Sequence, residues 1–260
     1  MPGTMLSITH RPSPSAGAPR LALIHSLALD RSVWDGLVQR LERDVELLTY
    51  DCRGHGQSPK TPGPYSAGLF ARDLAAIFDD IGWDTAAVAG CSMGGNVAQA
   101  FAAEFPQRTA ALGLIDTTAW YGADAPGKFR ERADAARTKG MRGMLDFQLT
   151  RWFSDDFRAA HPDVLQRTTD VFVATDLECY AASCGLLGSV DSRAALPSLS
   201  MPVAIVVGEE DYATPVAMAE QLHAAIPQSS LTILPRARHL TPIECPDRIA
   251  SELRGLLARR

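Results

Sequence analysis

The pentapeptide Gly90-Cys91-Ser92-Met93-Gly94 constrains this chain more than any other segment. It joins a short apolar run, residues 85–89, to a stretch with helical spacing, residues 93–105. A strand that becomes a helix within one residue forces that residue, Ser92, into a strained backbone conformation, and small neighbours relieve the crowding. With 20 glycines in 260 residues, about 0.1 such matches arise by chance, so the bare pattern is only suggestive. The setting between strand and helix supplies the specificity. There the Ser92 hydroxyl stands above a sheet edge, and the Met93 N–H points at the same space. Gly95 extends the small run so that the helix lies close to the sheet. The plain alternative is a glycine-rich turn with an unreactive serine.

The rest of the chain supplies the sheet. Residues 20–25, 45–50, 85–89 and 110–115 read as short strands, with another at 5–9, and helical stretches at 33–40, 66–81 and 93–105 separate them. Short apolar runs alternating with helices predict a mostly parallel sheet covered on both faces, an α/β fold. Between residues 120 and 196 the strand-like runs stop, and helical segments at 127–138, 141–153, 163–175 and 178–187 take over. Alternation then resumes with a strand at 203–207, a helix at 215–226, a strand at 231–234 and a final helix at 243–259. The expected organisation is a core of residues 1–119 and 197–260, with a helical lid of residues 120–196 inserted before the last two strands. Such a lid covers the carboxyl edge of the sheet, where open α/β sheets bind ligands.

Composition narrows the function. The net charge is −5 with no block of like charges, so the basic face that phosphate backbones require is missing and nucleic acid is not an expected partner. Five cysteines without C-x-x-C pairs indicate neither a disulfide framework nor a zinc site, and they fit reduced thiols in a cytoplasmic protein. The first apolar run, residues 21–24, is too short to span a bilayer, and the N-terminus lacks the pattern of a signal peptide. The expected partner is a small molecule, with no membrane and no metal involved. The oligomeric state is not legible.

A serine hydroxyl needs a base, and the base needs an orienting acid. Of six histidines, His239 follows the last predicted strand in the segment ARHLTPIE, which places it at the same edge as Ser92. Eleven aspartates lie between the two, and context leaves Asp211, after the strand AIVVG, and Asp116, after LGLI. Asp211 is favoured because its strand neighbours that of His239, and Asp116 stays as the alternative. A second oxyanion N–H is expected from the loop His25-Ser26-Leu27-Ala28, with Leu27 the donor alongside Met93. Ser26 stands where a glycine is usual, either adding a hydroxyl to the site or bonding its own turn.

The segments HSLALDRSVW, YDCRGHGQS, GCSMGG, VVGEEDYATP and ARHLTPIE resemble those of the α/β-hydrolase superfamily at matching spacing. Within it the chain is most similar to 3-oxoadipate enol-lactonases, through HSLALDRSVWDGL, GMLDFQLTRWFSDDF and CYAASCGLL. The resemblance implies a triad of Ser92, Asp211 and His239, a mostly parallel sheet with a helical cap, and no cofactor. It departs at His25 and Ala28, where those enzymes usually carry Asn and Gly. The short N-terminus also leaves room for one strand before Arg20, where the family usually has a hairpin. A carboxylated lactone would need a cation in the pocket, for which Arg151 is the candidate, with Trp152 beside it as wall. The plain readings are a solvated lid arginine and core aromatics at Trp152 and Phe153. Arg130, Arg132 and Arg137 read as a solvated helix face, His55 as a turn residue and Cys91 as packing. The expected reaction is hydrolysis of a carboxylic ester or lactone through an acyl-enzyme, with the enol-lactone of 3-oxoadipate implied by the resemblance. The alternatives are a C–C bond hydrolase or perhydrolase on the same triad, or a ligand sensor with slow turnover.

Overall fold

The computed structural model describes residues 6–260. Seven strands are present among the described residues: β1 (Ile8–Arg11), β2 (Arg20–Ile24), β3 (Glu46–Tyr50), β4 (Ala86–Cys91), β5 (Thr109–Ile115), β6 (Val203–Gly208) and β7 (Ser229–Leu234). They form one sheet in the order β1-β3-β2-β4-β5-β6-β7, parallel except for β1, which runs antiparallel to β3. The central strands are buried along their length, as expected of a parallel sheet covered on both sides. Among the described residues β1 is the one strand ahead of Arg20. It starts later than the sequence pattern suggests, and Met5, the expected start, lies outside those residues.

Helices α1 (Asp35–Leu41), α2 (Ala67–Ile81) and α3 (Met93–Glu104) connect the first strands. In α2, Phe70, Leu74, Ile77 and Phe78 form the buried stripe, the Ser66 hydroxyl caps the N-terminus through the Leu69 N–H, and Gly82 ends the helix with φ 72°. After β7 the expected single helix over 243–259 is instead two, α10 (Thr241–Glu244) and α11 (Pro246–Leu257). Pro246 has no N–H to continue the ladder and pushes Cys245 out of helical geometry, to φ −132°, ψ 51°. Helix α11 packs on α1 and on strands β5 and β6, while α2 packs on α3 and α3 on β4 and β5.

Between β5 and β6 the chain is helical: α4 (Ala125–Lys139), α5 (Leu145–Trp152), α6 (Asp155–Ala160), α7 (Pro162–Val173) and α8 (Leu177–Ser189). Short α6 has no counterpart in the sequence reading. Its apolar content is slight, and its start depends on the Ser154 cap, which accepts from the Phe157 N–H. Both ends of this insertion are tied to α3. Asn96 and Gln99 donate their side-chain N–H groups to the Thr118 carbonyl at 2.6 and 3.0 Å, and the Ser192 hydroxyl donates to the Gln99 side-chain oxygen at 2.8 Å. Trp120 and Asp191 close the base with an antiparallel bridge. The remaining helix, α9 (Val216–Ala225), packs on β6 and β7. No single helix among the described residues is long and apolar enough to cross a membrane.

The turn between β4 and α3 is the tightest part of the fold. A Cβ on Gly90 would collide with the backbone of Gly94, and one on Gly94 with the Ile24 and His25 carbonyls. These close approaches seat the first turn of α3 against the end of β2. Gly94→Ala is therefore expected to lower stability by about 1–3 kcal/mol, because only backbone could move to accept the methyl group. Gly127→Ala, at a helical glycine with open space around it, is expected to raise stability by about 0.5–1 kcal/mol. Urea denaturation of the two variants checks the contrast.

Candidate active site

Ser92 occupies the single residue between β4 and α3, at φ 55° and ψ −116°. Few residues other than glycine take this conformation, and here the surroundings over-determine it. Its N–H donates to the Ile115 carbonyl at 2.9 Å, and its carbonyl accepts from Gly95 N–H and the Thr117 hydroxyl at 2.9 and 2.8 Å. The side chain is thereby presented at the carboxyl edge of the sheet.

The loops after β6 and β7 deliver the two partners. His239 Nε2 lies 2.8 Å from Ser92 Oγ, and His239 Nδ1 lies 2.8 Å from Asp211 Oδ2. Asp211 also accepts from the N–H groups of Ala213 and Thr214 at 2.7 and 2.9 Å and from the Thr214 hydroxyl at 2.9 Å. Burial opposes its charge, yet the His239 imidazole and these donors hold its carboxyl below the usual carboxylate range. A carboxylate that accepts from Nδ1–H leaves Nε2 free to accept the serine proton.

Asp116, the alternative acid, does not reach the imidazole. Its carboxyl is fully buried behind the site and accepts from the Thr241 N–H and hydroxyl at 2.9 and 2.7 Å and from the Gly208 N–H at 3.3 Å. It therefore braces the loop that follows His239 against the end of β6. Burial and the nearby charge of Asp211 push its carboxyl well above the usual range. Cys91 is buried beside it, Sγ 3.9 Å from the carboxyl oxygen, and burial pushes that thiol up as well. This position fits packing.

The histidine loop is held by the helical insertion. His239 and Leu240 donate their backbone N–H groups to the carbonyls of Arg151 and Trp152 at 3.3 and 3.0 Å. Arg238 donates to the carbonyls of Thr150 and Phe153 at 2.9 and 3.0 Å. Glu244 accepts from the Arg238 N–H at 2.9 Å and from the Ser154 N–H and hydroxyl. Arg238 and Glu244 had no role in the sequence reading. A charged pair six residues apart on either side of the histidine was the available signal.

A cavity of about 760 Å³ opens onto Ser92 and His239. Ser26 and Leu27 line it, whereas His25 is fully buried and turned into the loop. No bond of the Ser26 hydroxyl to its own turn is found among the described residues. Met93 is the first residue of α3, so its N–H has no helical acceptor, and neither it nor the Leu27 N–H has another protein acceptor among the described residues. Trp152 is buried, lines the cavity and packs edge-on against Phe172 at 5.2 Å, while Phe153 stacks on Phe157 away from it. His55 is buried against His25, ring centroids 5.1 Å apart, and burial together with that neighbour pushes its pKa down to about 3.

The arginines divide differently from the expectation. Arg151 is half-buried on the cavity wall with its guanidinium 4.7 Å over the Phe147 ring. Arg132, read above as part of a solvated face, also lines the cavity, its Nε donating to the Tyr180 hydroxyl at 2.7 Å. It lies on the helical face of Phe129, Ala133 and Ala136, a spacing that places it inward regardless of its charge. Arg130 is exposed, and Arg137 is exposed and paired with Asp134 and Glu178. Among the described residues neither Arg132 nor Arg151 has a carboxylate within ion-pair distance, and no cluster of His, Cys, Asp and Glu could hold a metal ion.

The alpha/beta hydrolase fold family model matches residues 19–246. The chain is 29% identical to 3-oxoadipate enol-lactonase 2 of Acinetobacter baylyi, over 94% of this chain and 90% of that protein. Among solved structures it is similar to an enol-lactonase from Burkholderia xenovorans, with 33% identity, 97% and 96% coverage and a TM-score of 0.92. It is also similar to a malate-bound thermophilic esterase from Thermogutta terrifontis, with 30% identity, 97% and 93% coverage and a TM-score of 0.90.

The Asp116 environment makes a stability prediction. Thr241→Val removes the hydroxyl that donates to the buried Asp116 carboxyl at 2.7 Å and leaves that oxygen short of a donor. The variant is expected to be less stable by about 1–3 kcal/mol, and Thr241→Ser, which keeps the hydroxyl, to lose clearly less. Urea denaturation of the three proteins checks this.

Proposed function

We propose that this chain, which belongs to the alpha/beta hydrolase family and is an ester or lactone hydrolase, works through a serine acyl-enzyme on substrates that carry a second, anionic carboxylate. The observation that carries the serine mechanism is the unbroken hydrogen-bonded line from Ser92 through His239 to Asp211. In this reading Ser92 Oγ attacks the carbonyl carbon as His239 Nε2 takes its proton. Asp211 holds the imidazole in the required tautomer and stabilises its charged form. The N–H groups of Met93 and Leu27 bind the oxyanion, and the helix start at Met93 adds its partial positive charge. His239 then protonates the leaving oxygen and activates water to release the acid and regenerate Ser92. For a lactone, the leaving oxygen remains on the same chain as the acyl carbon, so ring opening releases no separate alcohol and the water step frees a single product acid that still carries it. Residues 1–119 and 197–260 form the core in this reading, and residues 120–196 the cap that closes the pocket.

The carboxylate preference rests on Arg132 and Arg151, two guanidinium groups on the cavity that holds Ser92, neither with a carboxylate within ion-pair distance among the described residues. A planar guanidinium matches a carboxylate through paired N–H donors, and partial burial strengthens the attraction. An enol-lactone of a dicarboxylic acid, such as that of 3-oxoadipate, satisfies both parts of the site. The malate held by the Thermogutta terrifontis esterase shows a dicarboxylate in a similar scaffold.

Ser92→Ala is expected to lower kcat on a neutral aryl ester by at least about a thousandfold with the fold unchanged, and stopped-flow measurement should show the acyl-enzyme burst vanish. Retention of wild-type turnover would sink the serine mechanism. For the pocket, the comparison is between two aryl esters of equal length, one ending in a carboxylate and one in a methyl group. The wild type is expected to favour the charged ester, and Arg151→Ala or Arg132→Ala to lower its kcat/KM by about 10–100-fold while the neutral ester changes far less.

A further inference from the structure

The loop that carries Leu27 contains a histidine the mechanism does not use. His25 is fully buried, and both ring nitrogens are engaged. Nδ1 lies 2.8 Å from the Ser26 carbonyl oxygen, which can only accept, so Nδ1 carries the hydrogen. Nε2 lies 2.9 Å from the Cys52 backbone nitrogen, whose N–H can only donate, so Nε2 is the acceptor. One neutral tautomer satisfies both contacts, and burial favours the uncharged ring.

The Ser26 carbonyl and the Leu27 N–H belong to the same planar peptide unit and point in opposite directions. Whatever fixes the carbonyl also aims the N–H. The carbonyl accepts a second bond from the Leu29 N–H at 3.3 Å, longer than the one from His25. The next residue, Ala28, has φ 58°, a conformation that alanine does not choose unaided, so the turn needs outside support. His25 supplies that support from a ring clamped by the segment after β3 and packed against His55.

We infer that His25 is a positioning residue of the hydrolytic site: its bond to the Ser26 carbonyl sets the plane of the Ser26–Leu27 peptide and thereby aims the Leu27 N–H at the developing oxyanion. This rests on the reading of Leu27 and Met93 as the oxyanion donors. The effect belongs to the transition state, in which the oxygen becomes charged, and much less to substrate binding.

His25→Asn and His25→Leu test it. The two side chains share a skeleton of four heavy atoms branched at Cγ, and both lose the acceptor for Cys52. Only Asn keeps a donor where Nδ1 stands. The readouts are kcat and KM on a neutral aryl ester, affinity for a trifluoromethyl ketone that adds to serine as an oxyanion, and affinity for the product acid. His25→Leu is expected to lose about 10–100-fold in kcat with KM changed by less than about threefold, since a misaimed donor is a partial loss of an oxyanion contact. Trifluoromethyl ketone affinity should fall by the same factor and product affinity should hold, while His25→Asn recovers most of the loss. Equal kcat values for Asn and Leu, whether both high or both low, would overturn the inference, as would a lower Tm with no selective loss of ketone affinity. Should His25→Leu not fold, His25→Met fills the space without a donor and takes its place in the comparison. A wild-type protein with no Ser92-dependent turnover and no ketone adduct would instead overturn the serine-hydrolase reading, and this inference with it.

Discussion

The approach of helix α3 to the sheet at Gly90 and Gly94 is the constraint on which the site depends. A helix that starts one residue after a strand cannot be seated unless its first turn touches backbone, and both glycines do. That contact puts Ser92 at φ 55°, a conformation that costs about 1–3 kcal/mol in isolation and is held by its bond to the Ile115 carbonyl and those it accepts from Gly95 and Thr117. The same contact presses the end of β2 against the helix start. In the proposed mechanism this packing requirement is what sets the Met93 and Leu27 N–H groups as a pair of oxyanion donors.

The two buried aspartates show how environment separates like residues. Asp116 and Asp211 both end up at the carboxyl edge, behind and beside the histidine. Asp211 has an imidazole and three donors, and its carboxyl is pulled down despite burial. Asp116 is pushed up by burial and by the charge of Asp211, with no cationic partner among the described residues. One is equipped to orient a base, and the other braces the loop that carries it.

The insertion between β5 and β6 contributes to both the histidine loop and the cavity wall. Its α5 carbonyls hold the N–H groups of His239 and Leu240, so the imidazole is positioned partly by the element that walls the cavity. The same helix and α4 contribute Arg151 and Arg132, a local cation pair in a chain of net charge −5. Global charge and local charge thus differ in sign at the cavity wall, which is the basis of the proposed preference for carboxylated substrates.

The positions of Ser92, Asp211 and His239 were legible in the sequence because each follows a short apolar run that can only be a strand, and parallel strands deliver their following loops to one edge. The helical character of residues 120–196 was legible for a similar reason, the loss of strand-like runs. The choice between Asp116 and Asp211 was not settled by sequence, because both follow strands and only the loop path determines which carboxyl reaches the imidazole. Arg132 was misread because charge was given more weight than its place on the face of Phe129, Ala133 and Ala136. The final helix was read through Pro246 although a missing N–H breaks it there. The role of His25 was invisible, since it depends on a backbone N–H from Cys52, 27 residues away in sequence. Sequence determined which residue types stand at the sheet edge, because periodicity and turn chemistry are local. Tertiary structure decided which of them touch, because hydrogen bonds across strands and between cap and core depend on the path of loops that local preferences leave open.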